Sequence, residues 1–178
     1  EGLLAWLLTS KYVDHLPLFR LEGILARHGA DLSRQTLCDW VASCADALNP
    51  IYEHLRRTIV TVDYLQTDDT PVTVLGEGGG SLTGRLWVYL DPLGKRVFFD
   101  ATPTRGRDGP ERVLKDFKGY LQADAYSAYD ALYRTGRLVE VGCGAHARRK
   151  FFDTREQDPG AMKVLALSGK LYEVERQA

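Results

Sequence analysis

The sequence predicts an α/β fold: a mixed sheet with flanking helices, preceded by a small all-helical region. Two observations carry this expectation. Up to residue 61 the apolar residues recur at helical spacing, whereas from residue 62 onward β-branched and aromatic runs alternate with helical ones. In addition, the pattern Tyr-Leu-Gln-x-Asp occurs at 64–68 and again at 120–124, with the acid at the same place each time. The expected divisions are 1–61, helical with a candidate helix-turn-helix; 62–152, the sheet-containing core; and 153–178, the start of a helical insertion or a C-terminal helical segment.

In the first division, Leu3, Leu4, Trp6 and Leu7 open an apolar face that Leu16-Pro17 breaks. Leu18, Leu21, Ile24 and Leu25 resume it until His28-Gly29, a helix stop signal. Ser33 reads as the N-cap of a helix carrying Leu37, Trp40 and Val41. A helix, a Gly-containing turn and a Ser-capped second helix resemble a helix-turn-helix, with Arg34, Gln35 and Thr36 near the recognition end. A plain helical hairpin packing its Trp and Leu residues fits the same pattern. A separate helix is expected from about Pro50 to Val60, with Ile51, Leu55 and Ile59 inward.

Tyr64–Val74 reads as the first strand, with Asp68 and Asp69 adjacent in its middle. Successive strand residues point to opposite faces, so only one of the two faces any given site. A Gly-rich turn at 76–81, a strand from Gly84, a tight turn at Leu93-Gly-Lys and a strand from Arg96 follow; so short a connection makes that pair antiparallel. Pro110 then starts a helix carrying Val113, Leu114 and Phe117. Tyr120–Ala123 is the next strand, followed by a helix with Tyr126, Tyr129, Leu132 and Tyr133. Leu138–Cys143 is the last strand, and Ala145–Phe152 another helix. The resulting order, β-β-β-α-β-α-β-α, is that of the ribonuclease H-like fold, in which one carboxylate sits on the first strand and a second at the end of the fourth. Asp68 and Asp124 occupy those two places.

Two carboxylates held close repel each other unless protonated or bridged by a cation, and a hard oxygen-seeking ion such as Mg²⁺ is the natural bridge. For either acid alone, a role in capping a turn or helix explains it as well; the repeated context around both favours the shared site. After the last strand comes the run His146-Ala-Arg-Arg-Lys, in which Arg148, Arg149 and Lys150 suit sequence-independent phosphate contact, with His146 as a phosphate or packing residue. Arg105 and Arg107, in a Gly-rich loop, are further candidates for contacts to a nucleic-acid backbone. Cys143 with His146 supplies only two ligands, too few for a structural zinc site. Tyr126, Tyr129 and Tyr133 read as core and rim.

Composition narrows the class. The chain has 178 residues, 44% of them hydrophobic and 26% charged, ordinary for a globular protein with one good core. A net charge of −1 means that any nucleic-acid surface is local. Three cysteines without Cys-x-x-Cys spacing argue against a disulfide framework and for a reducing cytoplasm. No apolar run is long enough to cross a bilayer. The opening Glu-Gly-Leu-Leu and the closing Glu-Arg-Gln-Ala both read as cuts within a longer protein.

Four stretches carry a family resemblance: Lys11-Tyr-Val-Asp-His-Leu-Pro-Leu-Phe-Arg, Thr67-Asp-Asp-Thr-Pro-Val, Leu121-Gln-Ala-Asp-Ala-Tyr-Ser-Ala-Tyr and Cys143-Gly-Ala-His-Ala-Arg-Arg-Lys-Phe. In this order they resemble the transposases of the IS66 insertion-sequence family, over nearly the whole chain. The resemblance implies a DDE-type enzyme with a ribonuclease H-like catalytic domain. It implies Mg²⁺-dependent (or Mn²⁺-dependent) DNA strand cleavage and strand transfer. The partners implied are double-stranded DNA, both transposon ends and target, and other copies of the chain in the active complex. The implied location is the bacterial cytoplasm, on the nucleoid. Asp68 matches the first acid of the triad and Asp124 the second, as catalytic and metal-holding residues.

Two departures stand out. Asp69 replaces the Glu usual after the first acid, and the third carboxylate, expected in an Asn-Asn-x-x-Glu-Arg type motif, does not occur in these residues. Glu173 and Glu175 are the only late candidates and read better as exposed helix acids. Beside the transposase stand two other readings: a ribonuclease H-like nuclease or resolvase without strand transfer, and an inactive DNA-binding remnant.

Overall fold

A computed structural model describes residues 2–76 and 79–177. The chain divides into two compact units, Glu1–Leu55 and Arg56–Ala178. The first contains α1 (Gly2–Tyr12), α2 (Leu18–Arg27) and most of α3 (Arg34–Ile59). Leu7, Leu21, Leu25 and Leu37 form its core, with Leu16, Leu18, Ile24, Trp40 and Val41 packed around them. Pro17 stands at the N-cap of α2 in an extended conformation, which fits its fixed φ. The Ser33 hydroxyl accepts the backbone N–H of Thr36 at 3.1 Å, the capping bond its sequence position predicts. One expectation is corrected. The separate helix from Pro50 does not form; α3 runs unbroken through Pro50. Proline deletes one backbone donor and crowds the preceding turn, but an amphipathic face that continues on both sides offsets that local cost.

The second unit is built on a five-stranded sheet in the order β3-β2-β1-β4-β5. Its strands are β1 (Tyr64–Leu75), β2 (Ser81–Asp91), β3 (Arg96–Thr102), β4 (Gly119–Ala123) and β5 (Leu138–Gly142). β1 pairs antiparallel with β2, and β2 antiparallel with β3. β1 pairs parallel with β4, and β4 parallel with β5. β1 is therefore central. Its proline is tolerated because β4 pairs with it only at residues 64–66, so Pro71 has β2 on one side alone. β2 begins at Ser81 rather than at Gly84 and pairs along the far half of β1, with Ser81 opposite Leu75; residues 77 and 78 of the expected Gly-rich turn lie outside the described residues.

Period-2 alternation sends Leu65, Trp87, Tyr89, Phe98 and Leu121 into a core closed by Val113, Leu114, Phe117, Tyr129 and Leu132. The Trp87 indole N–H donates to the Thr102 hydroxyl at 2.8 Å, so this large side chain is buried without an unmet donor. Val113 and Leu114 lie on α4 (Asp108–Leu114), which fills the β3–β4 crossover. The next crossover departs from the expected single helix: a 3₁₀ turn at Ser127–Tyr129 leads into one turn of α5 (Asp130–Tyr133). The cause is local. The Asp124 carboxylate accepts the N–H of Tyr126 at 3.2 Å, holding the chain in a turn immediately after β4. α6 (Gly144–Asp153) and α7 (Pro159–Gln177) complete the unit.

One glycine fixes the strand register that matters most. Gly119, at the start of β4, has φ +139°, and a Cβ there would stand 2.4 Å from the Asp63 carbonyl oxygen. This close approach lets Tyr120 donate to that same carbonyl at 2.8 Å, which aligns Tyr64 with Tyr120, Leu65 with Leu121 and Gln66 with Gln122.

Candidate functional site

The two Tyr-Leu-Gln-x-Asp segments thus pair in register over Tyr64–Gln66 and Tyr120–Gln122, and each Asp follows two residues after the last paired position. The Tyr64 hydroxyl donates to the Gln122 side-chain Oε1, and the Gln66 side-chain amide donates to the same oxygen at 3.2 Å, so the repeated polar positions share one face of the sheet. Asp68 and Asp124 line a single cleft of about 570 Å³, together with Arg105, Tyr126, Glu140, Cys143, His146, Arg149, Lys150 and Asp153. Asp69 lines it too, which corrects the expectation that strand alternation leaves only one of the two adjacent acids at the site: Arg105 reaches from Asp69 to Asp124 and draws the Asp69 side into the same cleft.

The adjacent aspartates have opposite environments. The Asp69 side chain is 2% exposed and bound by two arginines. Arg85 Nη1 donates to its Oδ2 at 3.0 Å; Arg105 donates to its Oδ1 through Nε at 3.0 Å and Nη2 at 2.8 Å. These are charge-assisted bonds in a protected place, and they saturate the carboxylate. The Asp68 side chain is 52% exposed, with the His146 imidazole Nε2 4.0 Å from its Oδ1. Among the described residues no arginine pairs with it.

Arg105 connects the two sides. Because β4 stops at Ala123, Asp124 is free of the strand's alternation, and its Oδ2 accepts Arg105 Nη2 at 3.2 Å. The guanidinium also lies over the Tyr126 ring, 4.0 Å from its centroid, while the Tyr126 hydroxyl donates to the Arg105 carbonyl. The hydrogen bond to Asp69 raises the Arg105 pKa above its already high value, against the opposing effect of burial. The expectation of an arginine free for a DNA backbone is met by one already engaged with two acids.

On the other side of the cleft, Cys143 stands at the N-cap of α6. Burial pushes its thiol pKa up, but the backbone N–H and imidazole of His146, with Ala145 and Gln122, outweigh this and lower it. The same contact with Cys143 raises the His146 pKa against a smaller effect of burial, with Asp68 and Asp124 adding to the rise. Tyr133, on the core side, is pushed up to about 12, mainly by burial.

The basic run does not act as a block. Consecutive helix residues lie about 100° apart. Arg149 and Lys150 line the acid cleft, whereas Arg148 lines a separate groove with Ala145, Gly169, Tyr172, Glu175 and Arg176. The cleft-facing stripe of α6 is His146, Arg149, Lys150 and Asp153, spaced i, i+3, i+4, i+7. Asp153 and Glu140 were not singled out from the sequence; the helical period from His146 points to the first, and nothing local marks the second. Arg107 pairs with Glu111 at 3.2 Å on an exposed helix turn. Glu173 and Glu175 are exposed on α7 and neither lines the cleft.

Besides the arginine-bound Asp69, the carboxylates lining the cleft are Asp68, Asp124, Glu140 and Asp153, of which Asp68 and Asp124 are the two that the sequence pattern singles out. Among the described residues no group of three or more His, Cys, Asp or Glu side chains could hold a metal ion. Two carboxylates suit Mg²⁺, which keeps several waters and completes its shell with phosphate oxygens. Among the described residues no helix is long and apolar enough to cross a membrane.

Comparison with known proteins adds the following. The family model described as "Transposase IS66 family" matches residues 1–178. Three proteins of Sinorhizobium fredii (strain NBRC 101917 / NGR234), each described as uncharacterized, are similar to this chain. With y4qI the identity is 32% over 169 residues, covering 86% of this chain and 31% of the relative. With y4jD it is 31% over 192 residues, covering 99% and 38%. With y4hP it is 28% over 202 residues, covering 99% and 36%. The chain spans about a third of the length of these relatives.

Proposed function

Because the chain belongs to the IS66 transposase family, we propose that its acid cleft is part of a DDE-type catalytic centre on a ribonuclease H-like core, cutting and joining DNA strands with Mg²⁺ or Mn²⁺. The observation that carries the reading is the in-register pairing of two identical strand contexts, which brings Asp68 and Asp124 to one cleft. A strand order of 3-2-1-4-5 with β1 central supports the fold assignment.

In this reading Asp68 and Asp124 hold the divalent ions. When bound, such ions activate the attacking oxygen and stabilise the leaving one. Asp68 fits the more demanding position because it is half exposed and uncommitted to any arginine, whereas Asp69 is fully engaged. Arg149 and Lys150 sit on the rim where they meet phosphates, and their long stems let them follow the backbone without reading sequence. The His146 imidazole stands 4.0 Å from the exposed Asp68 carboxylate on the α6 side, where it can meet a phosphate. The third carboxylate, DNA-end recognition and assembly of several copies belong to the larger protein; the candidate helix-turn-helix of residues 1–61 contributes further DNA contact.

The test uses the larger protein with an element-end duplex, a target duplex and Mg²⁺. Asp68→Asn and Asp124→Asn are expected to melt within a few degrees of wild type and to lose cleavage by about a hundred- to a thousandfold, the scale of losing electrostatic stabilisation at a reacting centre. Joined donor–target products distinguish a transposase from a hydrolysing nuclease. Full cleavage by both Asn variants contradicts the reading.

A further inference from the structure

The acid cleft already contains a cation, the Arg105 guanidinium. We propose that Arg105 is the resident counter-ion of Asp124: it neutralises that carboxylate until a divalent ion takes its place, and so sets the ion concentration at which the cleft loads. The inference rests on reading the cleft as metal-dependent and adds to it a residue that regulates loading.

Three observations carry it. First, Arg105 is held in place independently of Asp124. Its Nε and Nη2 bind Asp69, its face covers the Tyr126 ring at 4.0 Å, and its carbonyl accepts the Tyr126 hydroxyl. Giving up Asp124 therefore leaves the guanidinium seated. Second, Asp124 is poised for exchange. Its Oδ1 is fixed by the Tyr126 N–H at 3.2 Å, and among the described residues its Oδ2 meets only the long 3.2 Å contact from Arg105. An arriving ion replaces one ionic contact at Oδ2 by another, and the carboxylate needs no new orientation. Third, Asp69 has a second arginine, Arg85 at 3.0 Å, so it stays neutralised whatever Arg105 does. A carboxylate this committed, 2% exposed, does not itself take the ion.

The consequence is electrostatic. A fixed positive charge beside Asp124 opposes a divalent ion at the same carboxylate, and after loading its Nη2 is left facing a cleft where phosphate enters. The opposition is modest because the Arg105 side chain is 37% exposed and solvent screens it. A unit charge a few ångströms from a divalent ion, so screened, changes affinity on the order of tenfold. An arginine serving only as a structural bolt makes the opposite prediction, since removing it loosens Asp124 and weakens binding.

The experiment measures Mn²⁺ affinity by electron paramagnetic resonance and Mg²⁺ affinity by calorimetry on the full chain, with melting curves alongside. Arg105→Gln is expected to bind about tenfold tighter than wild type. Arg105→Lys keeps the charge and its pairing with Asp69, but a single ammonium does not span both acids, so it falls between the two. In an Asp124→Asn background the gain from Arg105→Gln is expected to shrink, because the carboxylate for which the two cations compete is gone. Equal or weaker binding by both the Gln and Lys variants overturns the counter-ion role while leaving the metal centre standing. No ion binding by wild type or any variant removes the metal-dependent reading and this inference with it.

Discussion

Replacing Asp69 and Asp68 by alanine, one at a time, should separate two carboxylates that the sequence presents side by side. Asp69→Ala removes the acceptor of Arg85 at 3.0 Å and of Arg105 at 2.8 and 3.0 Å, from a site where the acid is 2% exposed. Breaking a buried ion pair by deleting one partner costs about 3–5 kcal/mol. Here the arginines are 22% and 37% exposed and can turn to water. That solvation lowers the expected loss to about 2 kcal/mol. For a chain of this length such a loss lowers Tm by roughly 4–8 °C. Asp68→Ala deletes a 52% exposed side chain with no arginine, and its cost should stay within about 0.5 kcal/mol. Urea melts of wild type and both variants decide the matter, provided the m-values agree. If Asp68→Ala destabilises as much as Asp69→Ala, the assignment of the two side chains to their environments is wrong.

Two further outcomes follow from the geometry. Gly119→Ala forces φ +139° on a residue with a Cβ and drives that atom to 2.4 Å from the Asp63 oxygen, so it should cost on the order of 3 kcal/mol; melting near wild type would show that the β4 register has another source. Arg149→Ala with Lys150→Ala should shallow the salt dependence of duplex binding by about two ions. Arg148→Ala, whose side chain lines a different groove, should change it little, and an equal effect from Arg148 would mean that the whole run contacts DNA.

Much of the sheet was legible because strands carry their own period. The β-branched and aromatic alternation located β1, β3 and β5 closely, and the repeated Tyr-Leu-Gln-x-Asp foretold that β1 and β4 align. The Ser33 cap was legible for a similar reason: its bond is to Thr36, three residues on. Features set by distant residues were not. Nothing near Asp69 announces that Arg85 and Arg105, 16 and 36 residues later, will bind it. The same holds for Arg105, which local composition presents as a free loop cation and tertiary structure ties to two acids. Pro50 misled because breaking propensity is local while the apolar face of α3 continues beyond it. Adjacency in sequence presents Arg148, Arg149 and Lys150 as one patch, whereas helical angle divides them between two grooves. Helical spacing from His146 finds the cleft-facing stripe, including Asp153.

The account depends on where a divalent ion binds. Crystals of the full chain grown with Mn²⁺ and measured at its absorption edge would place the ion by anomalous scattering. The account predicts density between the carboxylates of Asp68 and Asp124, with Oδ2 of Asp124 turned from Arg105 to the ion and Asp69 still clamped by its arginines. Density on Asp69, or none in the cleft at saturating Mn²⁺, would contradict it.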